Sequence, residues 1–198
     1  MYWQPCLRYV QLRFRCNEEA QDLVQGFFTA LLEQKILAHY DAERGPFRPY
    51  LRACLDQFVL KHLERNRREK RGGRATLIPL ENDALLAARD DNPEEIFHRE
   101  WQRHMFTLAV EELRQLCAVT DRNLRYELFA AYDLAEEPRP SYADLAGAND
   151  LPVTTVTNHL AWARRELRRL LEARLGTLSN SDTEPRRELR SLLKARSV

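Results

Sequence analysis

The sequence predicts an all-α fold, with two small helical domains joined by a flexible linker. Apolar side chains recur at three- and four-residue steps through most of the chain, which is the spacing of one face of an α-helix. The chain has only 6 glycines, and no stretch alternates apolar and polar residues as a half-buried strand would. At 198 residues the chain has room for one large or two small domains, and its 44% of hydrophobic residues is typical of a globular chain.

The first helix is predicted from about Asn17 to Ala38. Asn17 is a favourable N-cap, and Glu18 and Glu19 place negative charge in the first turn, where the helix dipole favours it. The apolar face predicted by the spacing comprises Ala20, Leu23, Val24, Phe27, Phe28, Leu31 and Leu32. The outer side is left with Gln21, Asp22, Gln25 and Thr29.

A second helix is predicted after the loop 39–46, in which Gly45 and Pro46 interrupt helical structure. Its apolar face comprises Phe47, Tyr50, Leu51, Cys54, Leu55, Phe58, Val59 and Leu63. The helix then becomes basic, with 7 Lys+Arg against 2 Asp+Glu between Lys61 and Arg74. This local excess of positive charge indicates an anion-binding surface.

The predicted domains are residues 1–71 and 93–178, separated by an acidic linker at 72–92. Glycine and proline residues in the linker break helical periodicity, and Pro93 suits the first position of the next helix. Fully extended at ~3.3–3.6 Å per residue, the linker would span about 70 Å. A tail at 179–198 is predicted to carry a short helix at 183–196, for which the sequence indicates no role.

Residues 141–171, SYADLAGANDLPVTTVTNHLAWARRELRRLL, predict two helices joined by a tight turn. Ser141 caps a short helix from Tyr142 to about Ala148, and either Thr154 or Thr155 is predicted to cap the next one. The apolar seam of the second helix comprises Val156, Leu160, Ala163, Leu167 and Leu170. Its outer face presents Thr157, Asn158, His159, Ala161, Trp162, Arg165 and Arg168.

This arrangement is typical of a helix-turn-helix, whose second helix places its early residues against base edges in the major groove. An ordinary helical hairpin with a solvated arginine face has the same pattern, so the pattern alone favours DNA binding only modestly.

The net charge of +1 conceals three blocks of alternating sign. Residues 1–80 hold 14 Lys+Arg against 9 Asp+Glu, a net charge of +5. Residues 81–140 hold 7 against 14, which gives −7, and residues 141–198 hold 10 against 7, which gives +3. The blocks indicate two anion-binding modules with an acidic connector, so a near-neutral total does not exclude a nucleic-acid partner.

The four cysteines are scattered, without a Cys-x-x-Cys pair or adjacent histidine pairs, which indicates small apolar side chains in a reducing compartment. The amino-terminal stretch has arginines where a signal peptide is apolar, and no apolar run approaches the ~18 residues of a membrane span. We therefore expect a cytoplasmic protein without a membrane partner, a metal or a cofactor.

Residues 141–171 resemble region four of the extracytoplasmic-function (ECF) group of bacterial sigma factors. EEAQDLVQGFFTALL at 18–32 resembles the region-two helix usually written A-E-D-L-V-Q-x-x-F. AERGPFRPYLRACLDQF at 42–58 resembles the segment E-R-G-x-F-R-x-W-L that follows it. Both modules stand in the family's order, and the resemblance covers most of residues 7–175.

The resemblance implies a promoter-specificity subunit of RNA polymerase, with core RNA polymerase and promoter DNA as partners. Asp22 and Gln25 would contact the clamp helices of the largest polymerase subunit. The residues implied at the downstream promoter element, where a base leaves the stack, are Tyr40, Arg44, Phe47, Arg48, Tyr50, Gln57, Lys61, Arg65 and Arg68. Those implied at the upstream element are Thr154, Thr155, Thr157, Asn158, His159, Trp162, Arg165 and Arg168. An anti-sigma factor often accompanies such proteins, but the sequence identifies none.

The sequence departs from the family pattern at several of these positions. Thr157, Asn158 and His159 stand where Lys, Ser and Arg are common, and Trp162 replaces an Arg, so the recognition surface is less basic. Asn158 could pair bidentately with adenine and Thr157 could contact a thymine methyl group. Trp162 is either a stacking or a packing residue. Tyr50 stands where the family often has Trp, and its place on the apolar stripe slightly favours core packing over a strand-separating wedge.

Two other functions were weighed against a sigma factor. A free-standing helix-turn-helix regulator would leave the region-two motifs unexplained. An enzyme is disfavoured, because the sequence contains no Gly-rich phosphate loop, metal-ligand spacing or nucleophile–base pair, and no residue is predicted to be catalytic.

Overall fold

The computed structural model describes residues 1–33, 39–70 and 92–176, and over these residues it confirms the all-α prediction, since it contains helices and no strands. The helices are α1 (Trp3–Phe14), α2 (Ala20–Glu33), a 3₁₀ turn (Ala42–Arg44), α3 (Phe47–Lys70), α4 (Pro93–Val119), α5 (Asn123–Asp133), α6 (Tyr142–Ala148) and α7 (Val153–Gly176). The chain forms two compact units, Met1–His104 and Met105–Val198.

The core of the first unit lies between α1, α2 and α3. Most of the apolar face predicted for α2 is buried there, together with Leu51, Leu55 and Val59 of α3. Gly26 lets α3 approach closely, because a Cβ atom at this position would lie 3.3 Å from the ring of Phe58. This contact explains a glycine in the middle of a helix, where it is otherwise unfavourable relative to alanine.

The sequence analysis did not anticipate α1, which contributes the fully buried side chains of Cys6, Tyr9 and Val10. The predicted start of α2 is wrong: residues 17–19 form a turn and the helix begins at Ala20, so Asn17 is not its cap. Arg15 ends α1 with a left-handed φ of 53°. The chain then passes through the turn at 17–19 before the hydrogen bonds of α2 begin. The predicted end at Ala38 lies outside the described residues.

A polar network crosses the core between α1 and α3. The hydroxyl of Tyr9 donates to Asp56 Oδ1 at 2.7 Å, and the guanidinium of Arg52 donates to Asp56 Oδ2. Burial raises the pKa of the Asp56 carboxyl, while the bonds from Tyr9 and Arg52 oppose that shift. The network therefore supplies hydrogen bonds to a partly buried carboxylate.

The helix predicted to begin at Pro93 is confirmed, and the side chain of Asn92 caps it by accepting the Glu94 N–H at 3.0 Å. Its first turns belong to the first unit, where Ile96 and Phe97 join the core and Phe97 packs edge-on against Tyr9. The division between the two units falls inside α4, between His104 and Met105. The predicted linker and tail lie outside the described residues except for Asn92, and the predicted domain limits stay predictions.

In the second unit, α5 and α6 pack on α7. The whole predicted seam of α7 is buried, and Leu171 and Leu175 extend it. Ser141 caps α6 as predicted and forms a capping box with Asp144, in which each residue's side chain accepts the other's backbone N–H at 3.1 and 2.8 Å.

The turn between α6 and α7 is a Schellman motif. Leu151 N–H donates to Ala146 O at 2.9 Å, Asp150 N–H donates to Gly147 O at 3.4 Å, and Asp150 adopts a φ of 52°. The prediction that Thr154 or Thr155 caps α7 is wrong, because both lie inside its first turn. The carbonyl of Pro152 accepts the first helical bonds instead, from Thr155 and Val156.

We predict that Tyr9→Phe lowers the free energy of unfolding by ~1–3 kcal/mol, because it removes one of the hydrogen bonds to the partly buried Asp56 carboxylate. Chemical denaturation followed by circular dichroism measures the change. Tyr132→Phe is the control, since the Tyr132 hydroxyl has no hydrogen bond to any residue that the structure describes. Equal stability of Tyr9→Phe and the wild type would contradict a stabilising role for the network.

Candidate nucleic-acid interface

The outer face of α7 presents the residues predicted for the upstream promoter element. Thr154, Thr157, Asn158, Arg165 and Arg168 are exposed, and Thr155, His159 and Trp162 are half-buried. The Thr157 hydroxyl donates to Val153 O at 2.9 Å within the helix. The amide of Asn158 has no hydrogen bond to any other described residue, so both its donor and its acceptor are available to a base edge.

The arginine run of α7 divides into paired and unpaired side chains. The guanidinium of Arg164 donates three hydrogen bonds of 3.0–3.2 Å to the carboxylate of Asp133 at the end of α5. It also donates to the Tyr142 hydroxyl. Arg169 pairs with Glu166 at 2.6 Å. Arg165 and Arg168 make no ion pair within the described part of the chain, and they are the two members of the run that were predicted to bind DNA.

Trp162 is a packing residue for two arginines that the sequence analysis did not select. The guanidinium carbons of Arg122 and Arg125, at the start of α5, lie 5.3 and 4.7 Å from the centre of its ring. Burial lowers the pKa of the His159 imidazole and the positive charge of Arg125 lowers it further, from which we infer that Arg125 lies near His159. The i, i+3 spacing of the two arginines showed that they share a side of α5, but not which helix that side faces.

In the first unit, the residues predicted at the downstream element form an aromatic cluster and a basic stripe. Tyr40, Phe47 and Tyr50 are half-buried, with ring centres 5.1–6.5 Å apart. The Tyr40 hydroxyl donates to Gly45 O at 3.1 Å across the loop. Gly45 has a backbone φ of 141°, which residues with a Cβ atom rarely adopt, so the conformation of the loop depends on this glycine.

The basic stripe runs along α3. Lys61, Arg65 and Arg68 are exposed at four- and three-residue steps, and Gln57 precedes Lys61 by four residues. These four residues therefore follow one side of the helix. Arg44, in the preceding 3₁₀ turn, is also exposed and lies 3.7 Å from Asp41. The basic run beyond Lys70 lies outside the described residues.

Arg48 differs from the rest of the downstream set. It is half-buried, and its guanidinium lies 4.1 Å from the ring centre of Trp101 and 3.4 Å from His98 Nδ1 on α4. Burial and the charge of Arg48 lower the pKa of His98. These contacts give Arg48 a packing role within the first unit, and its predicted DNA contact stays a prediction.

The two residues predicted to contact polymerase, Asp22 and Gln25, are exposed and lie three residues apart on α2. The Gln25 carbonyl oxygen accepts the Thr29 hydroxyl at 3.0 Å, so the backbone there is satisfied within the helix. The side chains thus occupy one side of α2, opposite the core residues Leu23, Val24 and Phe27.

The described residues contain no group of three or more His, Cys, Asp or Glu side chains placed to hold a metal ion. Cys6 and Cys117 are buried free thiols, and burial raises the pKa of Cys6 to about 12. No helix within the described ranges has both the length and the apolar character needed to cross a bilayer.

We predict that His159 titrates below its ordinary pKa of 6.5 and that Arg125→Gln raises the midpoint without restoring 6.5, because burial, the larger cause, remains. Nuclear magnetic resonance of the imidazole during a pH titration measures this midpoint. Since the unfolded chain binds this proton more tightly, the contribution of His159 to stability is lost as pH falls through 6.5. Arg114→Gln, which removes a guanidinium paired with Glu111, is the control. An unchanged midpoint in Arg125→Gln would contradict the inferred proximity.

Residues 2–69, from α1 to the end of α3, match the family model for Sigma-70 region 2. No curated protein and no solved structure matches the chain. The family consists of transcription initiation factors and not of enzymes. The first unit is therefore similar to Sigma-70 region 2 over residues 2–69, about a third of the chain.

Proposed function

We propose that this protein is a sigma factor of the ECF group that binds core RNA polymerase and directs it to promoters by reading two DNA elements. The match of residues 2–69 to Sigma-70 region 2 carries this proposal. The ECF assignment rests on the resemblance of residues 18–32, 42–58 and 141–171 to the segments of that group.

The second unit is proposed to read the upstream element as a helix-turn-helix, with α7 as the recognition helix. Three observations support this role: α7 follows α6 through a tight turn, its apolar seam is buried, and its outer polar side chains are available. Asn158 would read a base edge directly, whereas Arg165 and Arg168 would hold backbone phosphates.

The first unit is proposed to bind the downstream element and to assist strand separation. The cluster of Tyr40, Phe47 and Tyr50 offers aromatic faces on which an unstacked base can lie, at ~1–3 kcal/mol per stacked base. The stripe at Lys61, Arg65 and Arg68 would hold the backbone beside it. Asp22 and Gln25 would contact polymerase.

A free-standing helix-turn-helix regulator is the second candidate. The exposed face of α7 is compatible with it, but such a regulator has no use for a region-two domain. The two candidates differ in one measurable property, which is affinity for core polymerase.

We predict that the purified chain retains core RNA polymerase in a pull-down and enables run-off transcription from a defined subset of genomic fragments. Asp22→Lys should weaken polymerase binding by about tenfold, or ~1.4 kcal/mol, because it reverses an exposed charge at the proposed contact. Glu95→Lys, the same reversal at an exposed position of α4, is the control. If the chain binds DNA but does not bind core polymerase, it is a free-standing regulator and the proposal is wrong.

We predict different consequences for two substitutions on α7. Asn158→Ala should relax preference at one base position, at ~1–3 kcal/mol, because it removes a contact to a base edge. Arg168→Ala should weaken binding to all DNA sequences alike, because it removes a phosphate contact. It should also reduce the salt slope, the slope of log affinity against log salt concentration, by about 1. Binding of polymerase carrying each variant to a promoter library measures both effects.

Arg169→Ala is the matched control for Arg168→Ala, since Arg169 is the neighbouring arginine and is paired with Glu166. If Asn158→Ala and Arg168→Ala both leave the binding profile unchanged, α7 is not the recognition helix.

A further inference from the structure

The second unit contains four arginines without an ion pair within its described residues. The others are all paired: Arg114 with Glu111, Arg139 with Glu137, Arg164 with Asp133, Arg169 with Glu166 and Arg174 with Glu112. The unpaired four are Arg122, Arg125, Arg165 and Arg168.

Two of these arginines lie against the ring of Trp162, and the other two follow Trp162 along α7. Arg122 and Arg125 lie against its ring from α5, and Arg165 follows it by three residues on α7, one helical turn away. Arg168 follows Arg165 by the same step. Positive charge from two helices is therefore gathered beside the exposed face of α7 that carries Asn158.

The contact with Trp162 leaves the arginines able to bind a further group. A guanidinium that lies over an aromatic ring uses its flat face, and its N–H donors at the edge stay available to a phosphate. The ring also holds the long side chain in place, so less conformational entropy is lost when an anion binds. The first turn of α5 contains no acidic residue that would compete with such an anion.

We propose that Arg122 and Arg125 bind the phosphate backbone of promoter DNA beside the recognition helix, with Trp162 as the residue that positions them. This inference rests on the proposed function. It also accounts for the weakly basic recognition helix of this chain. The helix has Trp162 where the proteins it resembles have an arginine, and Arg122 and Arg125 of α5 supply positive charge beside that tryptophan.

The test measures promoter affinity of polymerase bound to the full-length chain, at several salt concentrations. Arg122→Gln and Arg125→Gln should each lower affinity several-fold for all promoter variants alike and reduce the salt slope by about 1. Arg114→Gln is the matched control, because it removes an exposed arginine of the same unit that is already paired. Unchanged melting temperatures establish that the variants are folded.

The positioning role of Trp162 is tested with two substitutions. Trp162→Phe retains an aromatic face and should bind almost as the wild type does, whereas Trp162→Leu removes the face and should weaken binding. In the double variant Arg122→Gln/Arg125→Gln, adding Trp162→Leu should lower promoter affinity little further, since the effect of Trp162 acts through those arginines. Arg125→Lys keeps the positive charge but loses the planar guanidinium, so its promoter affinity should lie between those of Arg125→Gln and the wild type.

The outcomes separate this inference from the proposed function. If the wild-type chain fails to direct polymerase to promoters, the proposed function is wrong. If the wild type succeeds and Arg122→Gln/Arg125→Gln retains both its affinity and its salt slope, the arginines only cover Trp162 and the inference is wrong. Loss of core polymerase binding without a change in DNA affinity would assign these arginines to a protein contact and overturn the inference as well.

Discussion

The burial of one apolar stripe on each helix is the constraint on which the rest of this structure depends. On α7 the stripe from Val156 to Leu175 is packed against α5 and α6, and this packing determines which side chains of α7 remain outside. The Schellman turn at Asp150 and the capping box at Ser141 fix where α6 ends and begins, so the start of α7 is set by local hydrogen bonds.

Ion pairing then selects which charged residues are available for binding. The sequence presents Arg164, Arg165, Arg168 and Arg169 as a uniform run, but Asp133 and Glu166 engage two of them. Asp133 lies at the end of α5, so its pair with Arg164 joins two helices. The same packing brings the start of α5 to Trp162, and the ring of Trp162 supports the guanidinium groups of Arg122 and Arg125.

The first unit combines an apolar core with partly buried polar groups on α3. Tyr9, Asp56 and Arg52 connect α1 with α3, and Arg48 lies over Trp101 of α4. Both networks use residues of α3, the helix that also carries the basic stripe. The positions of the proposed downstream contacts therefore depend on polar interactions within the core as well as on apolar packing.

The sequence by itself determined the all-helical class, most of each buried face and the cap at Ser141, because helical spacing and N-cap chemistry are local properties of the chain. It did not reveal α1, it misplaced the start of α2, and it assigned the α7 cap to threonines that lie inside the helix. Only the tertiary structure decided the partners of Arg48, Arg164 and Trp162, and it brought Arg122 and Arg125 to the face of α7. These contacts join residues 22 to 53 positions apart, and periodicity within one helix carries no information about which helix lies opposite.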